Sequence, residues 1–225
     1  MEQSLAENLS RQLKIAAEQV VREEYELLIL RSLMESSLGK ALVFKGGTAL
    51  RLAYNSPRFS DDLDFSLIAS LSEEAFVSVA EAISREIPQV TLSEALTKHF
   101  TFFALYKVRE PFLPFAFSIK LEISRREETL VREQDFVIRL LTSPVTPVSA
   151  LAQVATLERL QKDKATAMAD RHQPRDLYDL WFIAQKLRQP YYTPDLSGFD
   201  QRAIRRELRK VLPKDHWQVI DLWSA

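Results

Sequence analysis

The chain has 225 residues, of which 46% are hydrophobic and 27% charged, with a formal net charge of −1. That make-up belongs to a globular protein and excludes disordered, collagen-like and fibrous chains. With no cysteine, disulfide frameworks, thiol nucleophiles, Cys-ligated zinc and iron–sulfur clusters fall away, and three scattered histidines (His99, His172, His216) leave oxygen as the ligand for any metal. The polar opening MEQSLAENLSRQLK lacks the apolar core of a signal peptide, and no apolar run reaches the length of a membrane span, which predicts a cytoplasmic protein without membrane contact.

The first 38 residues are expected to be helical, with Leu5, Leu9, Leu13, Ala16 and Val20 spaced amid Glu, Gln and Arg. A short strand (41–45), a Gly46-Gly47 turn and a short helix (48–55) follow, then a loop and a strand over 61–68. That strand alternates with period two, setting Leu63, Phe65 and Leu67 on one face and Asp62, Asp64 and Ser66 on the other. A helix is expected from Ser72, with Ala75, Val79, Ala82 and Ile83 inward, and further strands over 99–108 and 114–124. In the second of these, Phe115, Phe117, Ile119, Leu121 and Ile123 face one way and Lys120 and Glu122 the other. SPVTP (143–147) reads as a hinge, followed by helices over 149–170, 174–187, 201–211 and 213–223. The expectation is an α+β chain: residues 1–145 form a small mixed sheet flanked by helices, and 146–225 a helical lobe.

Carboxylates at i and i+2 of a strand project from one face with backbones about 7 Å apart, close enough to share a hard cation. Asp62 and Asp64 have that spacing; the plainer alternative is acidic residues facing water. Alternation places Glu122 on the matching face of its own strand, so a third carboxylate joins them if the strands are neighbours. Such a set suits Mg²⁺ or Mn²⁺. A glycine pair feeding a helix lets backbone N–H groups approach a phosphate, although it serves equally as a simple tight turn. On helix 149–170, the stripe Leu151, Val154, Leu157, Leu160 reaches Lys164 and Met168 at the same spacing. That turns Lys164 inward, either toward an anion or snorkelling to the packing edge. Asp176 stands in the first turn after Pro174, where any carboxylate complements the helix dipole. Arg175 can pair with Asp179 or clamp a phosphate, and Arg51 and Arg58 flank the glycine turn. The basic stretch from Arg202 to Lys214 reads as a solvated helix face or as a surface for a polyanion.

The string FKGGTALRLAYNSPRFSDDLDFSL (44–67) resembles the signature of the AbiEii/AbiGii nucleotidyltransferase toxins, a branch of the DNA polymerase beta-like superfamily. LERLQKDKATAMADRHQPRDLYDLWFI (157–183) is similar to that family's later helical motif, in the same order along the chain. The resemblance implies that Gly46, Gly47 and Thr48 cradle a nucleoside triphosphate, with Ser60 at the family's serine before the acidic pair. It also implies that Asp62 and Asp64 hold Mg²⁺, that Lys164 meets the phosphates and that Asp176 is the acidic residue of the Arg-Asp motif. Glu122 enters by strand pattern alone. The implied activity is metal-dependent transfer of a nucleoside monophosphate to a hydroxyl of RNA, tRNA 3′ ends first. It would arrest growth or serve phage defence unless a cognate antitoxin is present. The same chemistry on a protein or small-molecule acceptor, and a non-catalytic nucleotide-binding module, are the competing readings.

Overall fold

The computed structural model describes residues 1–126, 128–190 and 196–223, the side chain of Leu222 excepted. Its helices α1 (Gln3–Leu13) and α2 (Ala17–Glu35) precede β1 (Leu42–Lys45), α3 (Gly46–Tyr54), β2 (Asp62–Leu67) and α4 (Glu73–Glu86). Then come β3 (Val90–Lys98), β4 (Thr101–Val108), β5 (Phe117–Ser124), β6 (Phe136–Ser143) and β7 (Thr146–Ala155). Four helices close the chain: α5 (Leu157–Arg171), α6 (Pro174–Lys186), α7 (Gln201–Val211) and α8 (Trp217–Trp223). The mixed α/β architecture agrees with the expected fold class.

Seven strands form one sheet in the order β3-β4-β5-β2-β1-β7-β6. At its centre β2 runs antiparallel to β1 and parallel to β5, and β1 runs parallel to β7. One face is apolar: Phe44, Leu63, Phe65, Leu121, Ile123 and Val154 are all at most 1% exposed and pack with α2, α3 and α4 in a single core. Phe44 and Phe65 meet across the strands with ring centroids 5.1 Å apart, a pair that adds to the burial of each ring. The opposite face of the three central strands is where Asp62, Asp64 and Glu122 emerge, because successive strand residues point to opposite sides. The Ser72 hydroxyl caps α4 by accepting the Ala75 N–H at 3.2 Å, as its place before Glu73 predicts. The inward stripe of α4 runs through Phe76, Ala80 and Ile83, while Ala82 is exposed.

Four expectations need correction. The supposed hinge at 143–147 is the turn of the β6–β7 hairpin, where Ser143 pairs with Thr146 and the Ser143 hydroxyl accepts the Val145 N–H at 3.0 Å. The helix expected over 149–170 begins only at Leu157, capped by the Thr156 hydroxyl on the Arg159 N–H, so the boundary drawn at 145/146 cuts a hairpin of the sheet. Ala150, Ala152 and Val154 alternate inward along β7, whereas Leu151 is 64% exposed; that outward leucine completes a false helical stripe. Strand β3 was not foreseen, since a bulge between Leu92 and Glu94 breaks its period and only Val90 is fully buried. Phe115, placed in the inward row of β5, lies before the strand and is 76% exposed.

Phe65 sits at the sheet centre with no exposure, so Phe65→Ala is expected to cost about 3–5 kcal/mol of unfolding free energy by urea denaturation.

Candidate active site

The register of the sheet assembles a row of charge. Lys45 of β1 lies opposite Asp64 of β2, and Asp64 opposite Glu122 of β5. The chain leaves β1 through Gly46, whose φ of +80° is disfavoured for residues with a Cβ. A Cβ at Gly46 would also overlap the Asp64 carboxylate, and one at Gly47 would overlap the Arg58 guanidinium and the Ser60 hydroxyl. Both glycines are therefore close-approach positions, and the start of α3 lies directly against the acidic row. Thr48 is buried and its hydroxyl donates to the Asp62 carbonyl at 2.5 Å. That bond ties α3 to β2 and turns the side chain away from the cleft expected of it.

A hollow of about 330 Å³ opens over the row, with Gly46, Asp64 and Glu122 on one side and Asp163, Lys164 and Arg171 on the other. Burial first, and then the neighbouring Asp62, push the Asp64 carboxyl up to about 6, with Glu122 adding to this and Lys164 and Lys45 opposing it. Asp62 does not line this hollow; its carboxylate stands 3.7 Å from Lys120 Nζ. Among the described residues no group of three Asp, Glu or His side chains is already drawn together around a metal position. The donor set nevertheless fits Mg²⁺ or Mn²⁺: it is all oxygen, its members repel one another, and Mg²⁺ is commonly held by one or two carboxylates plus waters and substrate phosphates.

Across the hollow, Lys164 is held by two carboxylates, Asp176 at 2.8 Å and Asp179 at 2.7 Å. Arg58, from the loop before β2, grips Asp179 with two nitrogens at 2.7 and 2.8 Å. Arg171 binds Asp176 at 2.8 and 3.0 Å. Asp176 and Asp179 are wholly buried. Burial alone would raise Asp176, but Arg171 and Lys164 outweigh it and hold the carboxyl at about 2. Asp179 is likewise kept below the ordinary range, by Arg58 and Lys164 against its burial. The chain thus joins the loop at Arg58, α5 and α6 through five charged side chains.

The structure brings Gly46, Asp64, Glu122 and Lys164 to one hollow, while Gly47 and Ser60 lie beside Arg58 and outside its lining. Asp176 reaches the hollow only through Lys164 and Arg171, so its place is that of a positioning residue. Sequence reasoning missed the Arg58–Asp179 pair: it offered Arg175 as one partner for Asp179 and placed Arg58 only as flanking the glycine turn. The spacing of Asp176 and Asp179, one helical turn apart and facing the inward Lys164, is the signal that could have found it. Arg51 is taken by Glu23 at 2.6 Å and stacks over Phe59. On α7, Ile204 and Leu208 turn inward, while Asp221 answers Arg209 at 3.1 Å and Arg205 at 3.6 Å.

Arg58→Met leaves Asp179 buried with one partner fewer and is expected to cost about 3–5 kcal/mol in urea denaturation, a loss that Asp179→Asn in the same chain should partly restore. Because the folded-state carboxyl of Asp64 lies above its ordinary value, its contribution to stability is present below about pH 4 and disappears as pH rises through about 6. Without divalent cations, thermal denaturation should find Asp64→Asn no more stable than the native chain near pH 4 and more stable at pH 7. An equal difference at both pH values would contradict this.

Comparison with known proteins follows from this geometry. The model of a family described as the nucleotidyl transferase AbiEii toxin of type IV toxin–antitoxin systems matches residues 28–222. No curated protein matches. Among solved structures, MenT4, a nucleotidyltransferase toxin of Mycobacterium tuberculosis, superposes with a TM-score of 0.62 at 22% identity over 92% of this chain and 68% of its own. JHP933 of Helicobacter pylori superposes with a TM-score of 0.56 at 23% identity over 76% of this chain and 68% of its own. These likenesses concern the fold. A family match spanning both the acidic row and the helices that carry its lysine places the chain in the AbiEii nucleotidyltransferase toxin family.

Proposed function

We propose that this nucleotidyltransferase moves a nucleoside monophosphate from a triphosphate to a hydroxyl of RNA, the 3′ end of tRNA first, in a reaction that needs Mg²⁺ or Mn²⁺. The observation that carries the reading is the juxtaposition of Asp64 and Glu122, paired across β2 and β5, with Gly46 and Lys164 around one hollow. Asp62, Asp64 and Glu122 are the residues that would hold the ion, which supplies charge neutralisation for the phosphates and lowers the pKa of the acceptor hydroxyl.

The chain's own part is positioning. The close approach at Gly46 and Gly47 sets the first turn of α3 against Asp64, Arg58 and Ser60, and the backbone N–H groups of that turn favour an anion such as the triphosphate. Lys164, fixed by Asp176 and Asp179, faces the carboxylates across the hollow and orients the phosphates between them. The acceptor oxygen bonds to the α-phosphorus as the bond to the bridging oxygen breaks; the electron pair leaves with pyrophosphate and the acceptor proton passes to solvent. Type IV toxin–antitoxin membership supports a cognate antitoxin that opposes the outcome. The cationic face of α7 supplies charge of the sign that an RNA backbone needs, and Lys210 at its end shares a hollow with Asp61, next to the acidic pair.

The test is incubation of the pure protein with each α-labelled triphosphate, Mg²⁺ and, in parallel, tRNA, total protein or small hydroxyl compounds. Label is expected on tRNA, and Asp62→Ala and Asp64→Ala are expected to abolish it while keeping a cooperative thermal transition. Label on protein or a small molecule would move the acceptor, and full activity in either variant would refute the site.

A further inference from the structure

Among the described residues, the cations that line the hollow over the acidic row are of two kinds, those already spent on carboxylates and those that are not. Lys164 serves two buried carboxylates. Arg171 spends Nε and Nη2 on Asp176, and Arg159 is taken by Asp163 at 2.9 Å and by Glu128. A cation whose field is already answered by carboxylates offers an incoming anion little net charge. Lys45 and Arg126 have no ion pair within 4.0 Å among the described residues, and both line the hollow over the acidic row. Both also line a second hollow of about 460 Å³ that adjoins it through Lys45, Ser124, Arg126, Asp163 and Ala167. Their placement comes from the register: Lys45 ends β1 opposite Asp64, and Arg126 lies four residues beyond Glu122, just past the end of β5.

We propose that Lys45 and Arg126 are the residues that bind the β- and γ-phosphates and take up the charge of the leaving pyrophosphate at the boundary of the two hollows, with Lys164 acting as a rigid, charge-compensated orienting group. The inference rests on the transfer reaction proposed above. When the bond between the α-phosphorus and the bridging oxygen breaks, its electron pair goes to pyrophosphate as the acceptor oxygen bonds to phosphorus and the acceptor proton leaves to solvent. Negative charge therefore grows on the side away from the acceptor, and preorganised cations there stabilise it. A guanidinium past the end of β5 and an ammonium at the end of β1, with β2 between those strands, suit this, the first gripping two oxygens at once and the second acting as a point charge. Neither residue is drawn into the core: Arg126 is exposed and Lys45 half-buried. Their replacement therefore spares the packing.

The measurement is calorimetric titration of the full chain with inorganic pyrophosphate in the presence of Mg²⁺, for the native protein and for Lys45→Met, Arg126→Met, the double variant, Lys45→Arg and Arg126→Lys. Each methionine variant is expected to lose about tenfold in affinity, the worth of one charge-assisted contact, with a larger loss in the double variant and recovery in the charge-keeping variants. Thermal midpoints should stay near the native value, which a structural role would not allow. Native-like pyrophosphate affinity in the double variant would overturn the proposal. A native chain that binds pyrophosphate, with the losses described, but labels no RNA would leave this assignment standing and remove the RNA acceptor instead; a native chain with no affinity for pyrophosphate would overturn both.

Discussion

The site depends on one chain of charges, buried except at its last member, running from Arg58 through Asp179, Lys164 and Asp176 to Arg171. Each carboxylate in it is wholly buried, so each must be answered by a cation, and the five side chains come from three different segments. The loop before β2, helix α5 and helix α6 are thereby held in a fixed relation. Because that loop leads directly into Asp62 and Asp64, the same bonds that pin the helices set the lysine opposite the acidic row. Replacing such a network by apolar side chains can be neutral for stability; what it contributes here is geometry.

A second constraint acts at the glycines. Gly46 adopts a backbone conformation that a Cβ disfavours, and a Cβ would in addition meet the Asp64 carboxylate. Close approach and local conformation demand the same residue. The result brings the first turn of a helix, with its unpaired N–H groups, beside a carboxylate held above its ordinary pKa by burial and by its neighbours. Opposite partial charges side by side are the arrangement on which the proposed binding of a metal-bound phosphate rests.

Much of this was legible before any coordinates. Alternation along residues 61–68 and 114–124, Phe115 excepted, separates core from site residues because the strand period is two, and the pairing of Asp64 with Glu122 follows once the two strands are neighbours. Lys164 turns inward at the spacing of Leu157 and Leu160. The β6–β7 hairpin was not legible. Pro144 lies in its turn and Pro147 in the strand that follows, its inward residues are partly alanine, and Leu151 points to solvent, so neither period dominates and a helical stripe fits by accident. Thr48 shows the same limit on a smaller scale: a hydroxyl beside two glycines suits a phosphate, and only the coordinates show that it serves the Asp62 carbonyl.

What the amino-acid order determines alone is local: which strand faces carry carboxylates, where glycine is required, which helix turns a lysine inward, and the two motif strings that mark the family. Only the tertiary structure decides which charges answer one another. Arg58 and Asp179 are 121 residues apart, and no periodicity reports a contact across that distance, because pairing of buried ions depends on which cation reaches a given carboxylate once water is gone. For the same reason the sequence shows many cations near the cleft, and folding alone divides those lining the hollow over the acidic row into Lys164 and Arg171, paired with carboxylates, and Lys45 and Arg126, which have no ion pair among the described residues.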